Sequence, residues 1–154
     1  MKRILLVILL ITVFFTMPNS ANAQERFIWI YSSNSITYSL DTKSIWYQDP
    51  IIDCWIRSDY TQEAIDSNVD FNKKEGNNLI AEKYSQCSFE LIHWQYSTIR
   101  PYKHRIVGAC MYDEKGNVLF SHQSPSNWST IIPETVGETN FNKIYDYVLS
   151  NNIK

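Results

Sequence analysis

Glycine is scarce here, 4 residues in 154, while 14% of the residues are aromatic. Disorder, repeats and Gly-rich linkers need the reverse balance, so the composition suits packed strands. Cysteine is nearly as scarce. Cys54, Cys87 and Cys110 are odd in number and cannot all pair within one molecule, so the framework that staples small exported domains is not expected. Each sits in an apolar, strand-like run, "IIDCWI", "SQCSFEL" and "VGACMY", the setting of a small buried hydrophobe. Catalytic signatures are missing too: the chain has no G-x-S-x-G, H-E-x-x-H, G-x-G-x-x-G or P-loop. His93, His104 and His122 fall on a strand, a turn and a strand end, and no pair shows C-x-x-C or H-x-x-x-H spacing. No metal, cofactor or catalytic residue is therefore assigned, and an enzyme is not expected.

What is there begins at the N-terminus. Met1-Lys2-Arg3 is a short basic segment, residues 4–15 are apolar, and Ala21-Asn22-Ala23 is a small-x-small cleavage pattern, which together read as a signal peptide over residues 1–23. The apolar run is too short to span a bilayer, and no cysteine follows it to carry a lipid, so no stable membrane insertion is expected after cleavage. Cutting after Ala23 leaves 131 of the 154 residues, enough for a single domain over residues 24–154. Without Lys2 and Arg3 the 14 basic residues become 12 against 16 acidic ones, a balance that disfavours nucleic acid as a partner.

Residues 26–31 and 36–40 are rich in β-branched and aromatic side chains and flank "SSNS", which predicts a hairpin. Asp41-Thr-Lys-Ser44 breaks the second run with side chains that bond local backbone, and Asp49-Pro50 marks a turn before a third strand over residues 51–60. In that strand Ile52, Cys54 and Ile56 alternate with Asp53, Trp55 and Arg57. Residues 61–78 are polar and read as a short helix or an irregular excursion. Strand character is expected again over residues 81–99 and 105–112. Asp113-Glu-Lys-Gly-Asn117 is a hairpin loop with Gly116 supplying the positive φ, and residues 118–120 return.

The segment "SPSNWSTIIPETVGE" then leads off the sheet. Thr135 and Glu138 fit a capping box, and Phe141, Ile144, Tyr145 and Val148 follow at helical spacing as one apolar stripe. Trp128, Ile131 and Ile132 are expected to anchor the connection by filling the gap between helix and sheet. The fold class is thus α+β: a five- to six-stranded antiparallel sheet with a C-terminal amphipathic helix packed on one face. The aromatics Trp29, Tyr31, Trp46, Tyr47, Trp55, Trp94, Tyr96 and Tyr102 cannot all face one core. Most are expected to pack, and a minority to form a patch for protein or sugar.

Three motifs stand in a distinctive order: "WIY" followed by "YSLDTKSI", with Asp41 and Ile45; "YDEKGNV", with Asp113 and Gly116; then Pro125, Trp128 and "IPETVGE", with Thr135 and Glu138. In this order the chain resembles the bacterial surface-adhesin protein E family over most of residues 24–154, least over residues 61–82. The resemblance implies an antiparallel sheet with a helix on its concave face, and structural roles for those seven residues. It also implies host extracellular matrix or serum proteins as partners. Relatives often tie the last helix to the sheet by a disulfide, whereas residues 141–154 hold no cysteine, so the helix must be held by its apolar stripe and its cap. The expected function is an exported, non-enzymatic binding domain at the cell surface, outside the cell or in the periplasm. The alternative is a periplasmic housekeeping or inhibitor domain with no host ligand. An uncovered edge strand would invite pairing into a dimer.

Overall fold

The computed structural model describes residues 26–154, and the signal peptide expected over residues 1–23 lies outside them. The chain runs through strands Phe27–Ser32 (β1), Ile36–Asp41 (β2), Trp46–Gln48 (β3) and Ile51–Tyr60 (β4), then helices Gln62–Lys74 (α1) and Asn78–Tyr84 (α2). Strands Phe89–Ser97 (β5), Lys103–Tyr112 (β6), Val118–Gln123 (β7) and Ser129–Thr130 (β8) follow, and helix Val136–Ser150 (α3) closes it. The fold is α+β, with an open antiparallel sheet in the order β1-β2-β4-β5-β6-β7. β3 pairs with the part of β4 that β2 does not reach, and β8 does the same on β6 beside β7. The described sheet therefore has eight strands where five or six were expected. The two additions are three and two residues long, too short to show a period of two.

Alternation decides which way each side chain points. Along β4, Ile52, Cys54, Ile56 and Ser58 are buried, while Asp53, Trp55, Arg57 and Asp59 between them are half-buried on the opposite face. Helix α3 packs on the first of these, the inner face. Phe141, Ile144 and Val148 join Ile30, Leu40, Ile52, Cys54, Ile56, Tyr96 and Ile131 in one buried cluster. The Phe141 ring sits among Tyr102, Tyr145 and Tyr96, at centroid distances of 4.7, 5.6 and 5.9 Å. Burying a side chain of this size stabilises the fold by about 1.5–3 kcal/mol, enough to hold a helix that no disulfide ties down.

The start of α3 is fixed by hydrogen bonds. Thr135 Oγ1 accepts from Glu138 N at 3.4 Å, and Glu138 Oε2 accepts from Glu134 N at 2.8 Å, one residue before the cap residue where a capping box would reach. Glu134 has φ 61°, in the left-handed region that glycine fills without a Cβ penalty. Of the three anchors expected in the connection, only Ile131 is buried. Trp128 is 36% exposed and Ile132 is 65% exposed, whereas Ile131, whose N–H donates to the Tyr102 carbonyl at 2.8 Å, joins the core cluster.

Within residues 61–78 the chain forms a helix, α1, over Gln62–Lys74, whose N-terminus is capped by Thr61 Oγ1 accepting from Ala64 N. Strand character does not resume at residue 81, because α2 occupies residues 78–84 and buries Ala81. Tyr84 of α2 meets Tyr60 edge-on, and the Tyr60 hydroxyl donates to the buried Glu90 carboxylate at 2.6 Å. The helical pair thus covers the far end of the inner face. Cys87 lies between α2 and β5, not in a strand, and His104 lies in β6, not in a turn. All three thiols are free. Cys54 and Cys87 are buried and Cys110 is half-buried on the outer face, opposite Leu91. No helix among the described residues is long and apolar enough to cross a membrane.

Candidate binding surface

The outer face is organised as rows across the strands. One row follows the register Trp46↔Asp53, Asp53↔Gln95 and Gln95↔Arg105 through β3, β4, β5 and β6. Arg105 Nε donates to Gln95 Oε1 at 2.8 Å, Gln95 Nε2 donates to Asp53 Oδ2 at 2.7 Å, and His93 Nε2 donates to Asp53 Oδ1. A carboxylate can only accept, which sets the direction of the whole chain of bonds. At one end the Arg105 guanidinium lies 4.7 Å from the Trp128 ring centroid, and at the other Trp46 is 49% exposed. The next row places Trp55 opposite His93, their rings stacked at 4.8 Å and 13°.

A second group of aromatics and cations lies beyond Trp55. The Arg57 guanidinium sits 3.9 Å from the Phe89 centroid and 5.6 Å from that of Phe27, while it donates to both oxygens of Asp59 at 2.6–2.9 Å. Phe89 stacks on Tyr112 at 4.8 Å and 8°. Arg26 lies 5.0 Å from the Phe27 centroid and grips the buried Asp41 carboxylate at 2.9–3.2 Å, which raises the guanidinium pKa further above its ordinary value. Between the two groups a shallow depression of about 500 Å³ is lined by Arg26, Asp41, Lys43, Ser44, Trp55, Leu91 and Tyr112. Guanidinium stacked on rings presents flat, preorientated contact area at little ordering cost, the property of groups that dominate protein interfaces.

The seven residues singled out from the motifs are dispersed over the fold. Asp41 holds the turn after β2: Lys43 N donates to its Oδ1 at 3.2 Å, and the Ser44 hydroxyl donates to its carbonyl at 2.8 Å. Ile45 is half-buried against the main core. Asp113 accepts from Lys115 N, Asn117 N and Asn117 Nδ2 at 2.8–2.9 Å, bonds led by the Asn117 side chain that hold its carboxyl pKa below the ordinary value, and Gly116 beside it has φ 83°. Thr135 and Glu138 start α3. Trp128 belongs to the outer-face rows, and Asp41 also lines the depression beside them. Asp53, His93, Gln95 and Arg105, which tie those rows together, carry no sequence motif; the alternation along β4 is a signal for Asp53 alone.

His93 Nε2 is taken up by Asp53, and Ser44 Oγ, which accepts from Trp55 N at 2.9 Å, already donates to Asp41. Burial pushes the Cys87 thiol up to about 11 and Cys54 well above its ordinary value, away from the thiolate that a nucleophile needs. Among the described residues no group of three or more His, Cys, Asp or Glu side chains could hold a metal ion. Comparison with protein-family models, with curated proteins and with solved structures finds no match to this chain.

Proposed function

We propose that residues 24–154 form an exported, non-catalytic binding module of the surface-adhesin E type, which holds an extracellular protein against the outer face of its sheet. The observation that carries this reading is the outer face itself. Helices pack on the inner side, while Trp46, Trp55, Arg57, His93, Arg105 and Trp128 form linked rows that remain half-exposed or exposed. Side chains so oriented lose little entropy when a partner covers them. The sheet ends at β1 and β7, and backbone groups along those edges would add main-chain bonds to an extended partner segment. The leader-like N-terminus and the order of the three motifs support delivery outside the cytoplasm and matrix or serum proteins as partners.

The test is saturable binding of purified residues 24–154 to immobilised extracellular matrix and serum proteins, with denatured protein as the control. Fractionation of the producing cells accompanies it. Saturable binding together with a surface or culture-fluid location is the expected result. No binding by folded protein, with strict periplasmic retention, would favour a periplasmic housekeeping or inhibitor domain instead.

A further inference from the structure

On the inner face, where the first turn of α3 leaves the sheet, a recess of about 200 Å³ is lined by Tyr38, Trp94, Tyr96, His104, Val136, Gly137 and Asn140. Two buried polar groups among the described residues lack partners, and one of them, Asn140, lines the recess. Asn140 is 9% exposed, and its Oδ1 has no hydrogen bond. Ser58, fully buried, pairs in register with the lining residue Tyr38, and its Oγ is also unpartnered. Leaving such groups unsatisfied costs free energy, and native folds rarely do so without a reason.

We infer that this recess is a binding site for one small, neutral, planar ring carrying a single hydroxyl, the chemistry of a phenol. The volume fits: a cavity of about 150 Å³ takes up benzene. The walls fit as well, since Trp94 stacks beside Tyr96 and His104 at centroid distances of 5.9 and 5.2 Å and Tyr38 stands opposite on β2. No Lys, Arg, Asp or Glu lines the recess, and burial lowers the His104 pKa, which favours the neutral imidazole. An anion is disfavoured because the Glu138 carboxylate already occupies the start of α3. Asparagine χ2 is a broad torsion, so a small turn of the Asn140 amide meets a hydroxyl either as acceptor or as donor. A pyranose is disfavoured by count: it would bring several hydroxyls to a site whose unsatisfied groups are few. This site is independent of the outer face, and either can fail without the other.

The experiment is a titration of residues 24–154 with phenol and, separately, with methyl β-glucopyranoside, following the Trp94 indole, His104 imidazole and Asn140 amide signals by NMR. Phenol should shift all three saturably, with Kd on the order of 1 mM, and the glucoside should not. Asn140→Leu removes the polar partner and should weaken phenol about tenfold. Gly137→Ala guards against a folding artefact. An added Cβ there meets Thr135 Oγ1 at 3.5 Å and His104 Cε1 at 3.7 Å, ordinary contacts, and alanine favours a helix, so the melting temperature should hold or rise while the narrowed recess binds phenol several-fold more weakly. Absence of saturable shifts with phenol would mean a recess that holds only water and would overturn the proposal. So would glucoside binding tighter than phenol, or unchanged phenol affinity in Gly137→Ala.

Discussion

The inner and outer faces of the sheet are made from alternate residues of the same strands, yet they hold their aromatics in opposite ways. Trp94 and Tyr96 on β5 pack inward under α3, whereas His93, between them and Ile92, points outward onto Trp55. Inside, rings are fixed by burial against Phe141, Ile144 and Val148. Outside, rings are fixed by guanidinium groups and by the bonds that run from Arg105 through Gln95 to Asp53. The difference teaches that aromatic content alone does not measure core size in this chain. Strand parity assigns the rings of the strands to the inner or the outer face, and under the proposed function stability and binding should separate under mutation.

The largest effect should come from the inner face. Phe141→Ala deletes the ring that joins α3 to Tyr96 and Tyr102 and should cost about 3–5 kcal/mol, read from chemical denaturation. Partner binding measured below the lowered melting temperature should be unchanged; loss of binding in protein that is still folded would break the separation of the two faces. Thr135→Ala removes the cap of α3 and should cost about 1 kcal/mol by the same measurement. A change within error would mean that the Glu138 bond to Glu134 N starts the helix unaided.

A smaller effect concerns pH. Burial lowers the His104 pKa below 6.5, so as pH falls the unfolded chain takes up a proton before the folded one does. The contribution is full above about pH 7 and is lost as pH drops below about 6.5 toward the folded pKa. Stability measured at pH 7.5 and 5.5 should therefore fall less in His104→Gln than in the unsubstituted protein, and identical slopes would contradict the assignment. His104 lines the inner recess, so this slope belongs to the inner face and should leave outer-face variants untouched.

Much of this fold is legible in the sequence. The alternation in "IIDCWIRSDY" marks β4 at residues 51–60, the Asp113 to Asn117 loop and Gly116 mark the last long hairpin, and Thr135 with Glu138 marks the start of α3. Seven residues of α2 span barely two turns, and four residues separate them from β5, so their helical period is hidden. β3 and β8 exist because longer strands offer them a free edge, a condition set by neighbours distant in the chain. The same holds for the candidate surface. Asp53, His93, Gln95 and Arg105 meet only once the register of β4, β5 and β6 is set, including the irregularity at His93 and Trp94. Trp128 looked like a core anchor because tryptophan usually buries, and its cationic neighbour Arg105 lies on another strand.

The most direct measurement compares the unsubstituted domain with the triple variant Trp46→Ala, Trp55→Ala, Trp128→Ala, recording melting curves and binding to whichever immobilised matrix or serum protein the unsubstituted domain holds. Trp46 and Trp128 are exposed and Trp55 is half-buried on the outer face, with contacts worth about 0.5–1 kcal/mol where a cation meets an exposed ring. The predicted result is a domain that still unfolds cooperatively, a few degrees lower at most, and binds at least a hundredfold more weakly. Full binding by the folded variant, or collapse of the fold with the inner core intact in sequence, would contradict the account.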